Sequence, residues 1–176
     1  MPKANQIPSR VTNFNVYFED KRLAGVATID LPEPERMNDE VTGAGIGGSL
    51  NMPLPGHFES MTTTINFNVP TKDTFRLFSG GSAHLIDCRA SIQVYDASNG
   101  AYIQMPLRVS MLVSSKNVAL GTLEPNAKTD TGSEFAVNMI KMWLDGKVVC
   151  HIDPANMISE IDGIDELADV RKNIGM

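Results

Sequence analysis

Aromatic side chains are scarce in this chain, at 6% of 176 residues, so aliphatic groups and methionine must fill most of any core. Cysteine is nearly absent. Cys88 and Cys150 lie far apart and neither has a C-x-x-C partner, which argues against a disulfide framework and leaves two free, mostly buried thiols as the expectation. There is no run of 18 apolar residues, and no basic segment leading into an apolar one at the start. A membrane span and a secretory leader are therefore not expected, and a reducing, soluble compartment is. Positive charge is also in deficit: 15 Lys and Arg stand against 21 Asp and Glu, a net charge of −6. That counts against a general nucleic-acid binder, whose affinity rests on Lys and Arg displacing counterions. No stretch combines Lys, Arg and aromatics as a nucleic-acid groove or sheet would.

What is present is alternation. The length suits one domain, and a folded monomer of this size exposes about 8,000 Å². "NFNVYF" puts Phe14, Val16 and Phe18 on one face, and "LAGVATIDL" does the same for Leu23, Ala27, Ile29 and Leu31. With "EDKR" as the turn, the two read as a first hairpin. In "SMTTTINFNV", Met61, Ile65, Phe67 and Val69 face one way while Thr62, Thr64, Asn66 and Asn68 face the other. The segments around "ASNG" form the longest hairpin signal, over 89–113, with Pro106 confined to an edge or a bulge. Asp145-Gly146 joins two further strands as a two-residue turn. Two helices are expected. One is capped by Thr71 and stopped by Gly80. The other runs through Ile164, Leu167, Val170 and Ile174, with acids early and Arg171 and Lys172 late.

Residues 32–58 and 114–133 resist assignment to the core. The first holds four prolines and five glycines, including "GAGIGG" at 43–48. That string fits G-x-G-x-x-G, but a dinucleotide loop needs a strand before it and a helix after it. Here acids precede it (Glu35, Asp39, Glu40), and Pro53 and Pro55 fall where helix turns would run. No nucleotide site is expected. Ile46, Leu50, Met52 and Leu54 nearly alternate, and two readings fit them. One is an extended arm laid on a partner surface; the other is a mobile loop, or one folded over its own domain.

Other chemistry is weakly signalled. Cys150 and His151 are adjacent and would point to opposite faces of a strand, a poor nucleophile–base pair. His151 and Asp153 share a face but have no serine nucleophile elbow near them. The acids Asp162, Asp165, Glu166 and Asp169 read as a solvated helix start, without the alternate-ligand loop of a calcium site. No cofactor or metal is expected.

The C-terminal stretch "WLDGKVVCHIDPANMISEIDGIDELADVRKNIGM" is the most distinctive. With "GVATIDLPE" and "GAGIGGS" upstream, it closely resembles the contractile-tail tube proteins of bacteriophages, a family shared with R-type tailocin tubes. The resemblance covers most of the chain and is densest over the last 35 residues.

That resemblance implies a mainly β fold: an antiparallel β-sandwich or partly closed barrel with one or two flanking helices and long arms, over one tail tube domain at 1–176. It implies a structural role and no enzymatic one. Homo-hexameric rings would stack into a hollow helical tube inside a contractile sheath, with two hairpins per subunit joining a β-barrel round the channel. The tube would carry DNA as non-specific passing cargo in a phage, or puncture a membrane in a tailocin, without stable membrane anchoring. Expected partners are the sheath, baseplate and tail terminator proteins, and the tape-measure protein during assembly in the bacterial host cytoplasm; the place of residence is the virion tail. The intersubunit arm would use Met37, Val41, Gly43, Gly45, Ile46, Gly47, Gly48, Leu50, Met52 and Leu54. Channel-lining candidates are Thr62, Thr64, Asn66 and Asn68 within strands 60–69 and 134–153, in competition with the hairpin 89–113. C-terminal contacts would involve Asn156, Met157, Ile158, Arg171, Asn173 and Ile174. A channel wall low in positive charge is expected, which Arg89, Arg108, Lys141 and Lys147 all pointing inward would refute. A monomeric β-sandwich binding module and a small β-rich enzyme are the alternatives.

Overall fold

A computed structural model describes residues 5–19, 21–23 and 25–176. Strand β1 (Gln6–Phe18) is followed by two short strands, β2 (Lys21–Arg22) and β3 (Val26–Asp30). Among the described residues, strands β4 (Arg36–Val41) and β5 (Leu50–Phe58) pair only with each other. Then come β6 (Met61–Phe67), helix α1 (Lys72–Leu77), and three long strands: β7 (His84–Asp96), β8 (Ala101–Ser115) and β9 (Thr131–Leu144). The chain ends with β10 (Lys147–Asp153), a 3-10 turn at Pro154–Asn156, β11 (Ile158–Ile161), β12 (Ile164–Asp165) and helix α2 (Ala168–Ile174).

The main sheet is antiparallel throughout, in the order β12-β11-β10-β9-β8-β7-β1-β2. It forks at β9. The first half of β9 pairs with β6, from Phe67↔Thr131 to Met61↔Val137, and β3 flanks β6. The second half pairs with β10. Both branches send apolar side chains into one core: Ile65 and Phe67 from β6 meet Ile86, Met111 and Phe135 from the long strands. Each such residue contributes roughly 1.5–3 kcal/mol when fully buried. A bulge between Val137 and Met139 lets β9 serve that core along its whole length. Phe135 and Val137 face in before it and Ile140 after it, a change of parity that one extra residue produces.

The expected first hairpin is corrected. β1 meets β2 only at Tyr17↔Arg22 and Phe18↔Lys21, and takes β7 as its long partner, while β3 crosses to β6. Alternation marks the face of a strand, not its neighbour, and the two 13-residue strands β1 and β7 match in length. Val69, placed by alternation on the core face, lies beyond the end of β6 and is exposed. The long hairpin at "ASNG" forms as expected. Pro106 sits in β8 where β9 has already turned away, and its carbonyl accepts from Asp145 N at 3.0 Å. A strand residue's nitrogen and carbonyl oxygen point the same way, so the missing donor faces no ladder. Asp145 and Gly146 take positive φ (+50° and +75°), as a two-residue hairpin turn requires.

Thr71 caps α1 through a reciprocal pair of bonds with Thr74. The helix stops at Leu77, short of Gly80, because Phe78 turns into the core against Phe67 and Phe135. The last helix is shorter than its periodicity suggests. Asp162 and Gly163 make a second tight turn, with φ of +50° and +80°, between β11 and β12. Ile164 therefore lies on an exposed strand, and α2 begins at Ala168.

The accessible surface is 10946 Å², about a third more than the ~8,000 Å² of a globular monomer of this mass. The β4–β5 ribbon and the loop 116–130 are exposed along most of their length.

Candidate functional site

The glycine run is a hairpin loop. β4 precedes it, β5 follows it, and Gly45 and Gly48 take φ of +93° and +153° in open space. The ribbon it closes is one-sided. The pairs Val41↔Leu50 and Asp39↔Met52 put these four side chains on one face, and Leu54 continues it. Met37, Val41, Ile46, Leu50, Met52 and Leu54 are 37–51% exposed. A two-stranded hairpin is marginal by itself in water, and an apolar face on a protruding ribbon marks a contact surface.

The base of the ribbon is fixed by Glu166. Arg36 Nη2 donates to its Oε1 at 2.7 Å, and Oε2 accepts from Ser159 Oγ (2.8 Å), Arg36 Nη1 (3.0 Å) and Gly56 N (3.1 Å). Arg36 also lies over the Phe58 ring. The hydrogen bond from Arg36 holds the Glu166 carboxyl below its ordinary range, against the opposing effect of burial and with help from Ser159. Gly56 has φ +72°, and a Cβ there would stand 2.4 Å from Leu167 Cγ. The sequence alone read Glu166 as part of a solvated helix start. It is the clamp between the ribbon and the C-terminal segment.

Three of the C-terminal candidates, Asn156, Met157 and Arg171, hold that segment together within the chain. Asn156 N and Nδ2 both donate to the Asp153 carboxylate, and Met157 takes φ +52°. The Met157 carbonyl accepts from Arg171 Nη1 at 2.7 Å, and Arg171 also grips Asp165. Ile158 opens β11 opposite Asp153. Asn173 and Ile174 are exposed at the end of α2.

Of the channel candidates, Thr62 is exposed and Thr64 and Asn66 are half-buried on the side of β6 away from the core, while Asn68 is half-buried beyond the end of β6 with its side-chain oxygen buried. Asn66 Nδ2 donates to Thr28 Oγ1 across to β3, and the Asn68 carbonyl accepts from Thr129. A groove of about 390 Å³ beside Thr62 and Thr64 is lined by Asp30, Glu33, Glu35 and Glu59. That groove is neutral to acidic.

The outer face of the long strands is different. Registers align one polar row across the sheet: Tyr17, Asp87, Ser110, Lys141, His151 and Glu160. Asp87 is 8% exposed and accepts from Arg108 Nε (2.6 Å), Arg89 Nε (2.7 Å) and Ser110 Oγ (2.7 Å). Burial pushes its pKa up, but these three hydrogen bonds prevail and hold it below the usual carboxylate range. Arg89 stacks over Tyr17 at 4.6 Å and Arg108 over Trp143 at 4.9 Å, with Lys141 Nζ 5.5 Å from the same ring. The sequence showed no Lys-, Arg- and aromatic-lined surface; the fold assembles one from four strands. Burial, followed by the nearby Lys141, depresses the pKa of His151. Burial also pushes Cys88 up to about 12, which makes it an unreactive thiol.

Strand edges are open as well. The end of β8 at residues 101–106 runs past β9, with Tyr102 and Ile103 exposed. β3 pairs with β6 alone among the described residues. Between β3 and β1 lies an apolar seam of about 380 Å³, lined by Val11, Phe14, Ile29, Leu31, Leu107 and Val109.

Residues 8–175 match the family model described as Phage tail tube protein FII. The tail tube protein of Escherichia phage P2 is 25% identical over 97% of this chain and 99% of its own. Two solved structures from an extracellular contractile injection system share the fold at 15% identity. One is the PVC sheath/tube terminator in its extended state, with a TM-score of 0.54, covering 77% of this chain and 96% of that one. The other is the PVC sheath-tube complex in its extended state, with a TM-score of 0.50, covering 78% and 92%. The match of the family model to residues 8–175, nearly the whole chain, places this chain in the phage tail tube protein FII family.

Proposed function

We propose that this chain, as one unit over residues 1–176, is the repeating subunit of a hollow tail tube within a contractile sheath. Homo-hexameric rings stack, and the arm at 32–58 lies on a neighbouring copy. The observation that carries this is the one-sided β4–β5 ribbon, whose apolar side chains remain 37–51% exposed. Heterologous contacts repeated round a ring and along its axis would cover the ribbon and use the open edges of β3 and β8. The similarity to the phage P2 tail tube protein and to a sheath-tube complex supports the same reading.

The tube is a conduit for DNA in a phage, or a puncturing device in a tailocin. It is assembled in the host cytoplasm with baseplate, terminator and tape-measure proteins, and it requires no catalysis. The face bearing Thr62, Thr64, Asn66 and Asn68 lines the channel. Its neutral to acidic character lets a polyanion pass without adhering. Arg171, Asn156 and Met157 brace the C-terminal segment, so that Ile158, Asn173 and Ile174 can meet a neighbour.

The test is replacement of Ile46, Leu50 and Met52 by serine. The monomer should stay folded, because these residues are exposed. Electron microscopy should show rings and tubes for the native chain and few or none for the variant. Tubes at normal yield from the variant would remove the arm from the assembly.

A further inference from the structure

We infer that the loop at 116–130 is the prong by which one ring seats on the next, and that its socket is an apolar hollow at the far end of β9 on a second copy of this chain. This rests on the tube reading above and names the two surfaces of its axial contact.

The loop is exposed yet held in shape. Val118, Leu120 and Leu123 are 44%, 65% and 90% exposed. Backbone hydrogen bonds tie the chain around them: Ala119 N donates to Gly132 O at 3.2 Å, Thr122 N to Thr129 O at 2.8 Å, and Thr129 N to Asn68 O at 2.9 Å. The Leu120 carbonyl accepts from Thr131 Oγ1 at 3.2 Å. Gly121 takes φ +77°, and a Cβ there would stand 2.0 Å from the Thr129 carbonyl oxygen, so the two limbs of the loop touch. A loop of this length without strand or helix is uncommon in a compact domain unless it serves a function of its own. Aliphatic side chains presented to water on a braced loop mark a contact surface, and bracing lowers the entropy lost when a partner covers them.

The socket lies at the other end of the same strand. From the loop to the Asp145-Gly146 turn, β9 runs 14 residues, about 45 Å at strand rise. Beside that turn is a hollow of about 360 Å³, lined by half-buried Leu144, Val148 and Val149 and by exposed Asp145, Lys147 and Asp162. In the tube reading, the edges of β3 and β8 meet neighbours within a ring. The ends of the long strands are then turned toward the rings above and below, prong at one end and hollow at the other. Two unlike surfaces at opposite ends of one subunit make a heterologous contact that repeats without closing, as stacking requires. Charge is mixed on both sides: Glu124 on the prong can meet Lys147 at the hollow, and Lys128 can meet Asp145 or Asp162.

The experiment uses two variants of the full chain. In Leu120→Ser/Leu123→Ser both replaced side chains are exposed, so the monomer should fold as the native chain does. Each leucine buried in the contact is worth about tenfold or more in association. Electron microscopy should therefore show rings retained and at least tenfold fewer tubes. Tubes at native yield would overturn the inference. So would a folded variant that loses rings as well, since the loop would then join subunits within a ring. The second variant, Glu124→Cys/Lys147→Cys, changes only exposed positions, and an exposed ion pair contributes little to assembly. Treated with a short bismaleimide after tubes have formed, it should give a ladder of covalent products longer than one ring, while each single variant gives none. The absence of cross-links, or a ladder ending at one ring, would overturn the inference. A native chain that forms no tube defeats the tube reading itself, and this inference with it.

Discussion

Glu166 offers the sharpest test of how the arm is held. Its Oε2 accepts three hydrogen bonds and its Oε1 one, from Arg36, Gly56 and Ser159. In Glu166→Gln the amide oxygen can keep the three-donor side, but the NH₂ group then faces Arg36 Nη2 donor to donor. A hydrogen bond to a charged group is worth about 1.5–3 kcal/mol. The partial exposure of Arg36 discounts its share. A net loss of about 2 kcal/mol at the base of the arm corresponds to roughly a 30-fold rise in local opening. Hydrogen exchange should report that rise at Gly56 and across 36–41 and 159–166, while β7 and β8 stay protected. Because the Glu166 carboxyl is held below its ordinary value, the clamp is fully present above the unfolded pKa. It is lost as pH falls through the folded one. The native arm should therefore open in acid, and the Gln variant should lose that part of the pH dependence. Unchanged exchange at Gly56 in the variant would refute the clamp.

Two further outcomes follow from the same geometry. Gly56→Ala should lower the thermal midpoint by several degrees, since it combines φ +72° with a 2.4 Å approach to Leu167, whereas Gly45→Ala, with φ +93° in open space, should cost about 1 kcal/mol. Cys88, buried and with its pKa pushed up to about 12, should resist alkylation in the folded protein and react only on unfolding; ready labelling would contradict its place in the core.

Much of the fold was legible because it rests on local rules. The alternation in "SMTTTINFNV" and in the long hairpin reports which face is buried, and Asp145-Gly146 reports a turn. Asp162-Gly163 carried the same turn signal, but the surrounding acids imitate a helix start, and Ile164 was misplaced for that reason. Pairing partners were not legible. Nothing in the period of β1 tells it to choose β7 over β3. The arm was legible as an anomaly, proline and glycine amid alternating apolar residues, although its folding into a ribbon was not. The clamp and the Asp87 cluster were hidden because they join distant residues: Arg36 with Glu166, and Tyr17 with Arg89, Arg108 and Trp143. Such sites exist only once strands are in register.

The most direct test is a reconstruction of the assembled particle at side-chain detail. The account predicts rings in which residues 32–58 lie on another copy, with Leu50, Met52 and Leu54 covered and the edges of β3 and β8 engaged. Stacked subunits whose arms fold back on their own chains, with those edges facing water, would contradict it.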